Sequence, residues 1–110
     1  MNKLLFKTAG ACGFPVAITV HKNEDNTLDI KISSGCAMVV ELGNRINGRT
    51  WRKGIFGKLL QSAVYTEANE CIKHVTCPIP SGLLKAIEVE VGAAIPTDVV
   101  MKFSNANDAE

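Results

Sequence analysis

The chain has 110 residues, 46% of them hydrophobic and 21% charged, with four cysteines and a formal net charge of +1. That length and composition suit one domain with a real core. The near-neutral charge, with one Trp and one Tyr, argues against a nucleic-acid-binding or membrane-surface field. No apolar run approaches the roughly 18–20 residues of a membrane span. Residues 1–7 turn polar too soon for a signal peptide, so the expected location is the cytoplasm, where thiols stay reduced. Four cysteines in such a chain suggest metal or redox chemistry more than a disulfide framework.

Residues 3–8 alternate, with Leu4 and Phe6 on one side and Lys3 and Lys7 on the other, as in a half-buried strand. Gly10 and Gly13 bracket a loop. A second strand follows, with Phe14, Val16, Ile18 and Val20 on its apolar side. A polar turn over 22–26 leads to a third, with Leu28, Ile30 and Ile32 inward. Both apolar sets occupy even positions and must share a face. A three-residue turn centred on Glu24 pairs Val20 with Leu28, Ile18 with Ile30 and Val16 with Ile32. Extended, it sets Cys12 opposite Cys36, and a register shifted by two residues still leaves both thiols at the same end of the hairpin.

Cys36 opens a helix with Val39, Leu42 and Ile46 among its apolar residues, Ser34 or Gly35 as cap, and Asn47-Gly48 as stop. Thr50 begins a short helix through Trp51 and Ile55, against the tendency of Gly54 and Gly57. Ser62 caps a further helix whose stripe is Val64, Ala68, Cys71, Ile72 and Val75. From about Ser81 a last helix turns Leu84, Ile87, Val91 and Ile95 inward until Pro96 ends it. Residues 99–103 read as a final strand, and 104–110 as a disordered polar tail outside a single compact domain of residues 1–103. Strands first, then helices, indicates an α+β fold. Its sheet is antiparallel, or mixed, with three to four strands and three to four helices packed on one face.

Cys12, Cys36 and Cys77 each stand beside glycine or proline at a junction between elements, and the expectation is that folding brings these thiols together. Cys36 lies at one helix N-terminus and Cys77 just before another, where the dipole favours thiolates and should depress both pKa values. Thiolates are what zinc and iron–sulfur clusters need. Without close C-x-x-C pairs the spacing alone is a weak motif, and the alternative is that the cysteines are small buried hydrophobes. Cys71 falls in a helix stripe, where core packing is its commoner role. His74 falls on the flank of that stripe, where a ligand could reach toward Cys77, although a surface histidine is the commoner case. Either could complete four-coordination. His21, on the polar side of its strand, reads as inert. Arg45, Arg49, Arg52, Lys53 and Lys58 surround Trp51 with no acid between them, as a solvated face or as a docking surface for an acidic partner. No phosphate loop, dinucleotide fingerprint or Ser/His/Asp signature is present.

Ala9-Gly10-Ala11-Cys12-Gly13 before a hairpin, Ser34-Gly35-Cys36-Ala37 opening a helix, and Cys77 before a helix with Leu84-Lys85-Ala86-Ile87 together resemble the U-type iron–sulfur cluster scaffolds, the IscU/NifU N-terminal family. The resemblance covers residues 9–90. It implies a SufE/NifU-like fold and Cys12, Cys36 and Cys77 as ligands of a nascent [2Fe–2S] cluster or a zinc ion. The family's acidic residue after its first cysteine is replaced by Phe14, and its histidine before the third cysteine by Thr76. Its Leu-Pro-Pro-Val-Lys stretch is missing. The chain is also similar to small uncharacterised archaeal and bacterial proteins with Cys-Gly-Phe and Cys-Pro-x-Pro-x-Gly-x-x-Lys-Ala features. The expected function is a non-enzymatic zinc or iron–sulfur carrier, a relative of the scaffold rather than a working copy, with a sulfur-donor or acceptor protein as partner. The alternatives are a thiol-based sulfur carrier or redox protein, and a domain whose cysteines merely pack.

Overall fold

A computed structural model of the chain describes residues 2–6 and 12–107. Three strands form an antiparallel sheet in the order β1 (Asn2–Phe6), β2 (Val16–Lys22) and β3 (Leu28–Ser34). Leu4 pairs with Ile18, and Ile18 with Ile32, so one apolar row crosses all three strands. Val16, Ile18, Val20, Leu28, Ile30 and Ile32 are all buried, while Asp29, Lys31 and Ser33 face solvent. Residues 7 and 8, expected to continue the first strand, lie outside the described residues.

The hairpin keeps the expected parity and shifts the expected register. Val20 pairs with Ile30, Ile18 with Ile32 and Val16 with Ser34. The cause is local turn chemistry. The Asn23 N–H donates to the Thr27 carbonyl at 2.9 Å, closing a loop longer than the three residues expected. Asp25 accepts from both the amide and the hydroxyl of Thr27, at 3.1 and 2.6 Å. Asn26 takes φ 69°, a left-handed conformation that asparagine tolerates. A two-residue slip leaves every side chain on its original face, so the core is indifferent to it and the turn decides.

Three helices cover the apolar side of the sheet. α1 (Ala37–Ile46) lies on β3, α3 (Ile79–Glu90) on β1 and β2, and α2 (Ala63–Cys71) packs on both helices. Gly43 sets the approach of α1: a Cβ there would stand 2.8 Å from Ile32 Cγ1. Ser62 caps α2 as expected, accepting from the Val64 amide at 3.2 Å while donating to the Ile55 carbonyl at 2.6 Å. The short helix expected after Thr50 does not form. Gly54 and Gly57 have positive φ, and only a 3-10 turn over Leu59–Gln61 appears, yet Ile55 is fully buried. Val75, expected in the α2 stripe, lies beyond the helix and is fully exposed.

α3 starts earlier and stops earlier than expected, and its buried face is Ile79, Leu83, Ala86 and Ile87, with Leu84 at the margin. Gly92, not Pro96, ends it. Gly92 takes φ 82°, its N–H donates to Val89 O at 3.2 Å, and the Ala93 N–H donates to Glu88 O at 2.8 Å. This is the paired bonding of a Schellman stop. Ile95, placed inward by the helical count, is therefore 74% exposed. Residues 99–103 are not a strand, and Val99, Val100, Met101 and Phe103 face solvent.

The chain after α1 seals the outer edge of β3. The Ile30 amide donates to Asn47 Oδ1 at 2.8 Å. Leu28 gives its N–H to Arg49 O at 2.9 Å and takes that of Gly48 at 2.8 Å, and Thr27 bridges to Thr50. Trp51 is held against the hairpin turn, its indole N–H on Asn26 Oδ1 at 3.3 Å. No helix among the described residues is long and apolar enough to cross a membrane.

Candidate functional site

The end of the sheet away from the turn collects three cysteines. Cys12 is exposed in the segment entering β2, which Gly13 (φ 70°) and Pro15 hold out of the strand. Cys36 is the N-cap of α1. The expected caps do not act on the helix itself; instead Ser34 Oγ accepts the Cys36 amide at 3.1 Å, which braces the thiol-bearing residue at the strand-to-helix corner. Cys77 precedes α3, its backbone N–H donating to His74 O at 3.0 Å. In the observed register Cys12 and Cys36 are not a cross-strand pair. Both lie toward the open end of the hairpin rather than across its ladder.

Electrostatics ties the three together. Burial pushes the Cys77 thiol above its ordinary pKa. The Ile79 backbone N–H, at the start of α3, opposes the shift, and the nearby charges of Cys12 and Cys36 add to it. Both other thiols thus lie within electrostatic reach of Cys77. The direction reverses the depression expected from the helix terminus, because partial burial and like-charged neighbours outweigh one amide donor. Phe14 lies over this corner: a Cβ on Gly35 would meet its ring at 2.8 Å, so one edge of the ring packs on the backbone beside Cys36.

Cys71 sits elsewhere. Burial raises its thiol pKa, and the charges acting on it are those of Arg45, Glu41 and Glu67, on the α1–α2 side. His74 is exposed, with its carbonyl rather than its ring engaged on Cys77. Two members of the basic segment are consumed by ion pairs. Arg45 contacts Glu41 at 3.3 Å and Glu67 at 3.1 Å, and Arg49 reaches Glu67 at 2.7 Å. Arg52 stacks 5.0 Å from the Trp51 ring. His21 is not inert. Its Nδ1 lies 3.7 Å from the Glu90 carboxylate, which also accepts the Lys22 amide at 2.8 Å. Glu90 was not singled out by the sequence; the only signal was an acid in the last turn of a helix, where the dipole disfavours it.

No disulfide joins any of the four cysteines. Among the described residues no group of three or more His, Cys, Asp or Glu side chains is drawn together as a metal centre. The donor chemistry of the three-thiol corner suits a thiophilic ion, but the side chains are not preset for one. A model of a family of unknown function (DUF6951) matches residues 7–103. No curated protein and no solved structure matches the chain.

Proposed function

The chain belongs to the family of unknown function DUF6951, and on that premise we propose that it carries a thiophilic cargo, zinc or a [2Fe–2S] cluster, on Cys12, Cys36 and Cys77. The observation that carries this reading is that Cys77 feels both other thiols. A thiol whose proton is held more tightly by burial and by two neighbouring thiols gains when a cation replaces that proton, and thiolates are the ligands such cargo prefers. Cys36 and Cys77 are held on helix N-termini, while Cys12 is exposed. In this reading the Cys12 segment closes on loading, and its exposure suits release to a sulfur-donor or acceptor protein. Cys71 and His74 are the candidates for a fourth ligand from the chain, and the placement of Cys71 beside Arg45 favours His74.

The likeness to the U-type scaffolds supports the same reading: three cysteines in the same order, an antiparallel hairpin, then helices on one face. A SufE/NifU-like fold is part of the proposal. Phe14 in place of the family's acidic residue removes a carboxylate ligand, so the cargo would be held more by sulfur than in the scaffolds.

Metal analysis and zinc titration of anaerobically purified protein test it. Binding should approach one zinc, or one cluster and hence two irons, per chain, and Cys12→Ser, Cys36→Ser and Cys77→Ser should each abolish it while Cys71→Ser preserves it. Substoichiometric metal unchanged by Cys36→Ser overturns the reading. The exposure of Cys12 favours one other chemistry, a sulfur carrier whose thiolate takes up persulfide sulfur. A single hyperreactive thiol in alkylation kinetics at neutral pH selects that alternative.

A further inference from the structure

The two edges of the sheet are treated differently. That of β3 is closed by residues 47–50. β1 is the other edge, and no strand covers it among the described residues. An open edge is a template for another strand, and proteins ordinarily cover or blunt it.

The chain also carries a segment with the matching need. After the Schellman stop at Gly92, residues 96–98 run back past β1: Pro96, Thr97 and Asp98 line one cleft with Leu4, Lys85 and Val89. The next five residues, Val99-Val100-Met101-Lys102-Phe103, are as long as β1 and rich in strand-forming types. Val99, Val100, Met101 and Phe103 are each at least 73% exposed. The molecule measures 51 × 28 × 25 Å, the elongation of a compact body with a projecting arm. The family match continues through residue 103, so the arm belongs to the shared domain and not to an appendage.

We propose that residues 99–103 add as a fourth strand to the open β1 edge of a second copy of this chain, giving a two-fold dimer with exchanged arms. Strand addition satisfies the edge amides and carbonyls through main-chain hydrogen bonds, and alternate side chains supply the apolar burial. A closed two-fold arrangement uses both arms and both edges and leaves neither exposed. The isolated chain passes its own β1 at residues 96–98 and does not pair the arm there, which directs the arm outward to a partner. Its single charged residue, Lys102, poses no repulsion that alternation cannot turn to solvent.

Light scattering coupled to size exclusion, on the full chain under reducing conditions, should give about twice the 11.8 kDa chain mass. Removal of residues 99–110 and, separately, Met101→Pro should each return the monomer mass with unchanged circular dichroism. In a mixture of isotopically light and heavy chains, an amine cross-linker should join Lys102 to Lys3 in mixed pairs. A full chain that stays monomeric overturns the proposal, whether its 99–103 amides exchange freely or are protected by folding onto the chain's own β1. A dimer that survives the truncation also overturns it. None of these outcomes depends on the thiol corner, so this inference and the carrier reading fail or stand separately.

Discussion

At the turn end of the β2–β3 hairpin, side chains close what main chain leaves open. Asn26 takes the Trp51 indole, Asp25 holds Thr27, and Asn47 occupies the Ile30 amide. At the opposite end Cys12 is exposed, Phe14 is 43% exposed, and Cys36 caps a helix with no side-chain hydrogen bond of its own to that helix. The same two strands therefore end in a locked corner and a loosely dressed one. Polar satisfaction is concentrated where nothing reactive lies, and the nucleophilic groups stand where little else is required of them. Stability and chemistry should then separate under mutation.

The largest effect belongs to the locked end. Leu28 is fully buried and its backbone receives and supplies the bonds that seal the edge, so Leu28→Ala should cost about 2–5 kcal/mol in denaturant unfolding. Asn47→Ala comes next. It strands the Ile30 amide at a part-buried edge, which should cost about 1–3 kcal/mol with metal binding retained. A smaller effect lies at the thiol end and depends on pH. The folded chain holds the Cys77 proton more tightly than an unfolded one. Its contribution is thus whole below the ordinary thiol value near 8.5 and declines as pH rises toward the higher folded value. Cys77→Ala should flatten that decline, and alkylation of Cys77 should lag behind that of Cys12 at neutral pH by mass spectrometry. Smallest of all, Cys12→Ser should leave stability within about 0.5 kcal/mol while abolishing zinc uptake in a chelator competition. A large stability loss in Cys12→Ser would erase the distinction between the two ends.

How far the chain could be read before folding follows the same division. Apolar residues at even positions from Val16 to Ile32 decide a face, because burial is a property of parity, and that face is the one observed. They say nothing of register, which hangs on the hydrogen bonds of Asp25 and the conformation of Asn26. Ser62 was legible as a cap because its hydroxyl acts on its own helix. The end of α3 was not, since Pro96 looks the stronger stop until Gly92 is seen to complete two bonds first. Moving that end exposed Ile95, and of the adjacent pair Leu83 is fully buried while Leu84 lies at the margin of the core. The three junction cysteines could be named because glycine and proline mark corners. The upward shift at Cys77 could not, because it depends on how deeply the thiol is set and on which neighbours share its surroundings.

Asn47-Gly48 is also a pair of the kind that ages by deamidation, in which the following backbone nitrogen attacks the asparagine side chain and closes a succinimide ring. Here the Gly48 nitrogen is engaged with Leu28 O and the Asn47 carboxamide is held by Ile30. Both reacting groups are committed to the sheet edge, which keeps this bond chemically durable for as long as the chain stays folded.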